Sequence, residues 1–322
     1  MNLKTIQQPI EKELAEFELY FKKAMKSQVS LLDKITYYLV KRKGKQVRPL
    51  FVFFSAKLAN EINQATYTAA ALVEIIHTAT LVHDDVVDDS MKRRGFFSIN
   101  ALWKNKIAVL VGDYLFSTGL NLALQERQFE VLYILNKAIK ELSEGELLQI
   151  EKARKLDIDE SVYYEIIRQK TASLIAASCA AGAASVTEDK ETIARIKQIG
   201  EWIGMSFQIK DDLFDFGDDN IGKPTGIDIK EKKMTLPLIY TLKQVTRSEK
   251  NEIINTIRNH SDDRKKVRKI IDQVKHSGGL EYSNRIMNEY ADKAKMALMD
   301  FPESEARTGL NDLINFTINR KY

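Results

Sequence analysis

The chain is poor in the residues that break helices. Its 322 residues include only 5 prolines and 14 glycines, and no proline falls between Pro49 and Pro224. A sandwich or barrel of many short strands needs frequent Gly and Pro turns, so this scarcity argues for long helices instead. There is one cysteine, Cys179, which excludes an internal disulfide and a cysteine-based zinc site. Its neighbours Ala176, Ala177, Ser178, Ala180 and Ala181 place it in a close-packed helix rather than at a nucleophile site. No run of ~18 uninterrupted apolar residues occurs. The start, Met1-Asn2-Leu3-Lys4, lacks a long apolar stretch. We therefore expect no membrane span, no signal peptide and a cytoplasmic location. A large excess of one charge is lacking too. The 49 basic and 45 acidic residues leave a net charge of +4. That gives no case for nucleic acid as a partner, and mildly favours anionic substrates or an anionic membrane surface.

What the chain has in abundance is helical periodicity. Hydrophobic residues make up 44% and charged residues 29%, enough for a large core with a soluble surface. Helical spacing runs through residues 10–40, 67–90, 105–125, 129–152 and 160–182, with exposed amphipathic helices at 246–275 and 281–300. Ser185 or Thr187 is expected to cap a helix whose first turn holds Glu188, Asp189 and Glu191. A break falls around Gly222–Gly226. With no internal repeat or linker, we expect one all-α domain over residues 1–322, its helices packed around a central cavity.

Two clusters of aspartate carry the chemistry: Asp84-Asp85-Val86-Val87-Asp88-Asp89 and Asp211-Asp212-Leu213-Phe214-Asp215. Each contains D-D-x-x-D, and each ends an apolar helical stripe. One stripe is Leu72, Ile76, Thr80, Asp84, Asp88; the other is Ile199, Ile203, Phe207, Asp211, Asp215. Carboxylates crowded on an inward-leading face repel one another and resist desolvation unless a cation lies between them. Two such clusters point to divalent metal, and metal held this way most often holds phosphate.

Basic residues stand near both clusters. Lys45 and Arg48 lie three apart before an apolar run, close enough to converge on one anion. Lys92, Arg93 and Arg94 follow the first cluster, where arginine either grips phosphate or neutralises the aspartates. His77 lies two turns before Asp84 on nearly the same face. Lys170 and Thr171 fall in an Ala-rich stretch, Gln208 one turn before Asp211, and a Gly- and Lys-rich loop runs from Gly222 to Pro237.

This set resembles the trans-isoprenyl (polyprenyl) diphosphate synthases, and among them the long-chain octaprenyl type. The resemblance runs from about residue 40 to 245 and is carried by His77–Asp88 with Arg93-Arg94, by Gln208–Asp212, and by the Gly222–Pro237 loop. It implies an isoprenoid-synthase-type helical bundle around a deep central cavity, usually a homodimer. It further implies that Asp84 and Asp88 bind two of three Mg²⁺ ions, with Asp85 in support. Asp211 would bind the third, with Asp212 and Asp215 in its outer shell. Arg93, Lys170, Lys223 and Lys233 would hold an allylic diphosphate. Lys45, Arg48, His77 and Arg94 would hold isopentenyl diphosphate. Thr171 and Gln208 would set oxygens near a developing carbocation. Gln46 departs from the family, which commonly has arginine there, and the basic end Arg320-Lys321-Tyr322 receives no role.

Family members that stop early carry bulky aromatics four and five residues before the first aspartate; here those positions are Thr80 and Ala79. A growing tail can then pass to the depth of Ile76 and Leu72. The expected product is a long trans-polyprenyl diphosphate of the quinone side-chain type, released with transient contact at a membrane surface. Short-chain geranylgeranyl or farnesyl diphosphate synthesis and a non-catalytic subunit of a heteromeric synthase are the competing readings. A terpene cyclase would show an Asn/Ser/Glu second motif, and non-catalytic subunits tend to lose aspartates; none is missing here.

Overall fold

Several helices begin where polar caps stand, with one exchange against expectation. Asn63 opens the helix Gln64–Val87 in a reciprocal capping box with Thr66, accepting the N–H of Ala65 at 2.8 Å. Asp159 caps Glu160–Ile167, and a Thr246/Glu249 box opens Arg247–Asn259. At Lys190–Phe214 the cap is neither Ser185 nor Thr187. It is Asp189, whose carboxylate accepts the N–H groups of Glu191 and Thr192. Thr187 supports it by accepting the N–H of Asp189 at 3.1 Å. Asp189 stands directly before the helix, the position from which a side chain reaches those two donors, and its charge suits the positive helix end.

The computed structural model describes residues 2–42, 44–93, 95–156, 158–217 and 225–320. The all-α expectation holds. Further helices include Glu11–Ala24, Ser30–Lys41, Val47–Ala59, Ile99–Gln125, Phe129–Lys155, Ser173–Ala184, Leu236–Gln244, Gly279–Met299 and Glu305–Asn319. Among the described residues the only strands form a hairpin, Lys92–Arg93 paired antiparallel with Phe96–Phe97. Three expected runs are interrupted. The stretch 10–40 divides into Glu11–Ala24 and Ser30–Lys41. The stretch 246–275 breaks before Asp263, which caps a separate helix, Arg264–His276. The stretch 160–182 contains a π-helical turn, Arg168–Ala172. Helix periodicity is insensitive to one extra residue per turn, so a π turn leaves little trace in sequence.

The chain divides into two compact units. The first comprises Met1–Asn136, Ala177–Lys197 and Phe301–Leu310; the second comprises Lys137–Ala176, Gln198–Asp300 and Asn311–Tyr322. In the first unit Phe17, Phe53, Phe54, Leu72, Ile75 and Ile76 are fully or almost fully buried. Phe53 meets Phe17 and Tyr67 edge-on. Gly182 belongs to this core because a Cβ there would lie 2.2 Å from the Val52 carbonyl oxygen. In the second unit Ile166, Ile209, Leu236, Leu238, Ile257, Ile270 and Val274 form one cluster with Tyr163 and Phe216.

Among the described residues two helices are long and apolar enough to cross a membrane. The most apolar stretch of Gln64–Val87 is 78% buried, as in a core helix. That of Ile99–Gln125 is only 33% buried, leaving an apolar face.

Cys179 is buried as expected, and burial pushes its thiol up to about 12. Native protein should therefore resist an aromatic disulfide reagent at pH 8 and yield one thiol per chain after denaturation. Reaction of the native protein at the rate of a free cysteine would contradict this.

Candidate active site

Each aspartate cluster stands at the C-terminal end of its helix. Asp84 and Asp85 occupy the last turn of Gln64–Val87, and Asp88 is the C-cap, with no basic residue in that turn. Asp211 and Asp212 fall in the last turn of Lys190–Phe214, again without a basic residue, and Asp215 follows. A helix C-terminus carries a partial negative charge, so carboxylates there are destabilising unless a cation answers them.

In the first unit Asp85 turns inward, where burial raises its pKa. The Arg93 guanidinium answers it at 2.6 Å. The hairpin brings Arg93 into position, and Asn100 donates to the Asp85 carbonyl at 3.1 Å. Asp84 is half-buried and Asp88 exposed. Arg48 and His77 meet at 2.9 Å. Arginine has no acceptor, so Arg48 Nη1 donates and His77 Nε2 accepts. Glu74, His77, Asp85 and Arg93 line one cavity of about 80 Å³. Lys45 lies exposed just before Val47–Ala59, beside Gln46, which has a left-handed backbone. Ile76, Ala79 and Thr80 are all buried, and the Thr80 hydroxyl donates to the His77 carbonyl. Arg94 lies outside the described residues.

In the second unit a cavity of about 130 Å³ gathers Lys170, Thr171, Gln208, Asp212 and Lys233. The π turn presents Lys170 and Thr171, and two glycines let its neighbours close on it. A Cβ at Gly145 would lie 2.7 Å from Gln169, and one at Gly204 would lie 2.4 Å from Ala172. Asp211 pairs with Arg320 at 2.8 Å; Arg320 also donates to the Phe207 carbonyl and lies over the Phe207 ring. The Asp215 carboxylate accepts the N–H groups of Ile227 and Asp228 at 2.8 and 3.1 Å. Asp215 thus anchors the short helix Ile227–Lys230, a use its spacing in D-D-x-x-D does not reveal. Lys170 pairs with Glu146 and Lys233 with Glu231. Lys223 lies outside the described residues.

Sequence reasoning missed Tyr163, Glu146, Gln149 and Asp228, and gave Arg320 no role. Tyr163 and Lys170 are seven apart, and Glu146 and Gln149 three apart, spacings that share a helix face and were open to notice. Asp228 carried no such signal, because it sits in a single-turn helix that depends on Asp215 for its place.

Among the described residues no three carboxylate or imidazole groups already converge on one point as a metal cage. The donor set nonetheless fits a hard divalent cation: all-oxygen carboxylates at negative helix ends, crowded enough to disturb one another. Burial, then the charge of Asp228, raises Asp212 to about 8. Burial, then Asp215, raises Asp228 to about 7. Carboxyls whose folded pKa exceeds the unfolded value stabilise the fold at low pH, and that contribution is lost as pH rises toward the raised values. The metal-free protein should therefore melt lower at pH 9 than at pH 6. Mg²⁺ should raise the melting temperature more at pH 9. Equal Mg²⁺ shifts at the two pH values would contradict the assignment.

The polyprenyl synthetase family model matches residues 29–274. Octaprenyl diphosphate synthase of Escherichia coli (strain K12) is 33% identical over 324 residues, covering 99% of both chains. Heptaprenyl diphosphate synthase component 2 of Geobacillus stearothermophilus is 34% identical over 100% of both. A crystal structure of polyprenyl synthase from Caulobacter crescentus CB15, complexed with calcium and isoprenyl diphosphate, superposes with a TM-score of 0.92 at 34% identity, covering 100% of this chain and 98% of that one. With more than half its length matched by the family and full-length relatives above 30% identity, the chain belongs to the polyprenyl synthetase family.

Proposed function

We propose that the chain is a chain-elongating trans-prenyltransferase, joining isopentenyl diphosphate to an allylic diphosphate. The observation that carries this reading is the pair of D-D-x-x-D clusters at negative helix ends, each with basic side chains beside it. In this reading Asp84, Asp88 and Asp211 hold Mg²⁺, three ions with substrate bound, while Asp85 and Asp212 support them. Bound there, Mg²⁺ would supply the charge neutralisation that lets the allylic C–O bond ionise. Arg93, Lys170, Lys223 and Lys233 bind the allylic diphosphate; Lys45, Arg48, His77 and Arg94 bind isopentenyl diphosphate. Arg93, Lys170 and Lys233 rest on Asp85, Glu146 and Glu231, so substrate oxygens would replace carboxylates already in place. Thr171 and Gln208 face the cation. Diphosphate accepts the final proton, so no protein nucleophile is required.

The similarity to octaprenyl and heptaprenyl synthases supports a long-chain product, as do the small side chains at Ala79 and Thr80. We propose a homodimer through Ile99–Gln125. Val109, Leu110, Leu120 and Leu124 are 42–56% exposed there. At ~100° per residue they fall within about 100° of arc. We also propose a cytoplasmic enzyme that touches anionic membrane through the exposed basic face of Arg264–His276, which carries Arg264, Lys265, Arg268 and Lys269. A monomer in sedimentation equilibrium would overturn the first of these. Absence of salt-sensitive flotation with anionic vesicles would overturn the second.

Asp84→Asn or Asp211→Asn should lower turnover by about a thousandfold or more with the helical spectrum unchanged, since a lost metal grip costs several kcal/mol and ~1.4 kcal/mol is tenfold. Full turnover in either variant, or in excess chelator, would sink the reading. Ala79→Phe with Thr80→Phe should shorten the product without abolishing the first condensations. Chromatography of dephosphorylated products decides this: a wild type stopping at about fifteen carbons, or a double variant of unchanged product length, would overturn the long-chain proposal.

A further inference from the structure

We propose that Tyr163 is a positioning residue: acting through Asp212 and Gln208, it fixes the direction of a hydrogen-bond chain that leaves Thr171 an acceptor toward the cavity. The chain has three links. The Thr171 hydroxyl donates to Gln208 Oε1 at 2.7 Å. Gln208 Nε2 donates to Asp212 Oδ1 at 2.8 Å. The Tyr163 hydroxyl donates to Asp212 Oδ2 at 2.7 Å. Tyr163, Thr171, Gln208 and Asp212 all line the same cavity.

The direction follows from what each group can do. Both Asp212 oxygens accept in this network, one from Tyr163 and one from Gln208, so Gln208 turns its NH₂ to Asp212 and its carbonyl to Thr171. That carbonyl takes the one proton Thr171 has. Only lone pairs remain on Thr171 Oγ1, and lone pairs stabilise a positive charge and repel a negative one. Tyr163 holds the far end. It is 3% exposed, and its helix is anchored by the Asp159 cap. Without its hydroxyl, Asp212 Oδ2 would be a buried carboxylate oxygen lacking this donor, free to rotate and release the Gln208 amide. The neighbouring Lys170 cannot substitute for Thr171, because an ammonium group offers only donors.

This inference rests on the prenyltransferase reading, since it assigns the chain to a developing allylic cation. The test uses the full-length Mg²⁺-loaded protein and the variants Tyr163→Phe, Thr171→Val and Thr171→Ser. Two probes are titrated: an ammonium analogue of the allylic cation together with inorganic diphosphate, and an allylic thiolodiphosphate that cannot ionise. Tyr163→Phe and Thr171→Val should each lose about tenfold or more in kcat and in affinity for the ammonium analogue, the scale of a hydrogen bond to charge. KM and thiolodiphosphate affinity should stay within about twofold, and Thr171→Ser should restore the cation-selective binding. Equal loss of both probes in Tyr163→Phe would mark a general structural role and overturn the proposal. So would a Thr171→Val variant that binds the ammonium analogue as wild type does. A wild type that elongates normally beside unaffected variants overturns this inference alone. A wild type that forms no prenyl product overturns the functional reading beneath it.

Discussion

Carboxylates at the negative ends of helices are the constraint on which the rest of this structure depends. Helix polarity and the aspartates oppose each other at both clusters, and the local sequence supplies no basic residue in either last turn. The compensation comes from elsewhere in the chain: Arg93 from a hairpin to Asp85, and Arg320 from the C-terminal end to Asp211. Asp212 is answered by neutral donors instead, Tyr163 and Gln208. Those partners offset the helix ends only in part: burial first, and neighbouring carboxylates after it, still hold Asp212 and Asp228 above the usual carboxylate range. A site that folds with residual charge repulsion is prepared to bind cations, because binding relieves a strain the fold already carries.

The family, the helical class and the two clusters were legible because each rests on short-range spacing. Four-residue intervals place Asp84 with Asp88 and Asp211 with Asp215 whatever the rest of the chain does. The Arg48–His77 contact also lay within reach, since both residues stood out as anion-site candidates. What stayed hidden depends on contacts distant in sequence. Asp215, expected in the outer shell of a metal, instead accepts from donors eleven to thirteen residues on, the N–H groups of Gly226, Ile227 and Asp228. Arg320 reaches back 109 residues to Asp211. No periodicity encodes such a meeting.

The π turn at Arg168–Ala172 shows how a local irregularity serves the site. It interrupts a helical run where Lys170 and Thr171 must point into a polar cavity while Ala172 and its neighbours remain in the core. Wider turns of this kind reorient side chains without ending a helix. The surrounding helices come close only because Gly145 and Gly204 present no Cβ to it. Two glycines far apart in sequence thus share one purpose with a turn that neither belongs to.

The anchoring of Gly226, Ile227 and Asp228 by Asp215 has a consequence for how this sequence can change over evolutionary time. The chain leaves Asp215 and returns to it, so the two ends of the intervening stretch are fixed by one residue. The entropy of closing such a loop rises only slowly with its length. Insertions and deletions between the anchors can therefore accumulate with little displacement of Asp228. Relatives could diverge freely in length here while the carboxylates keep their places.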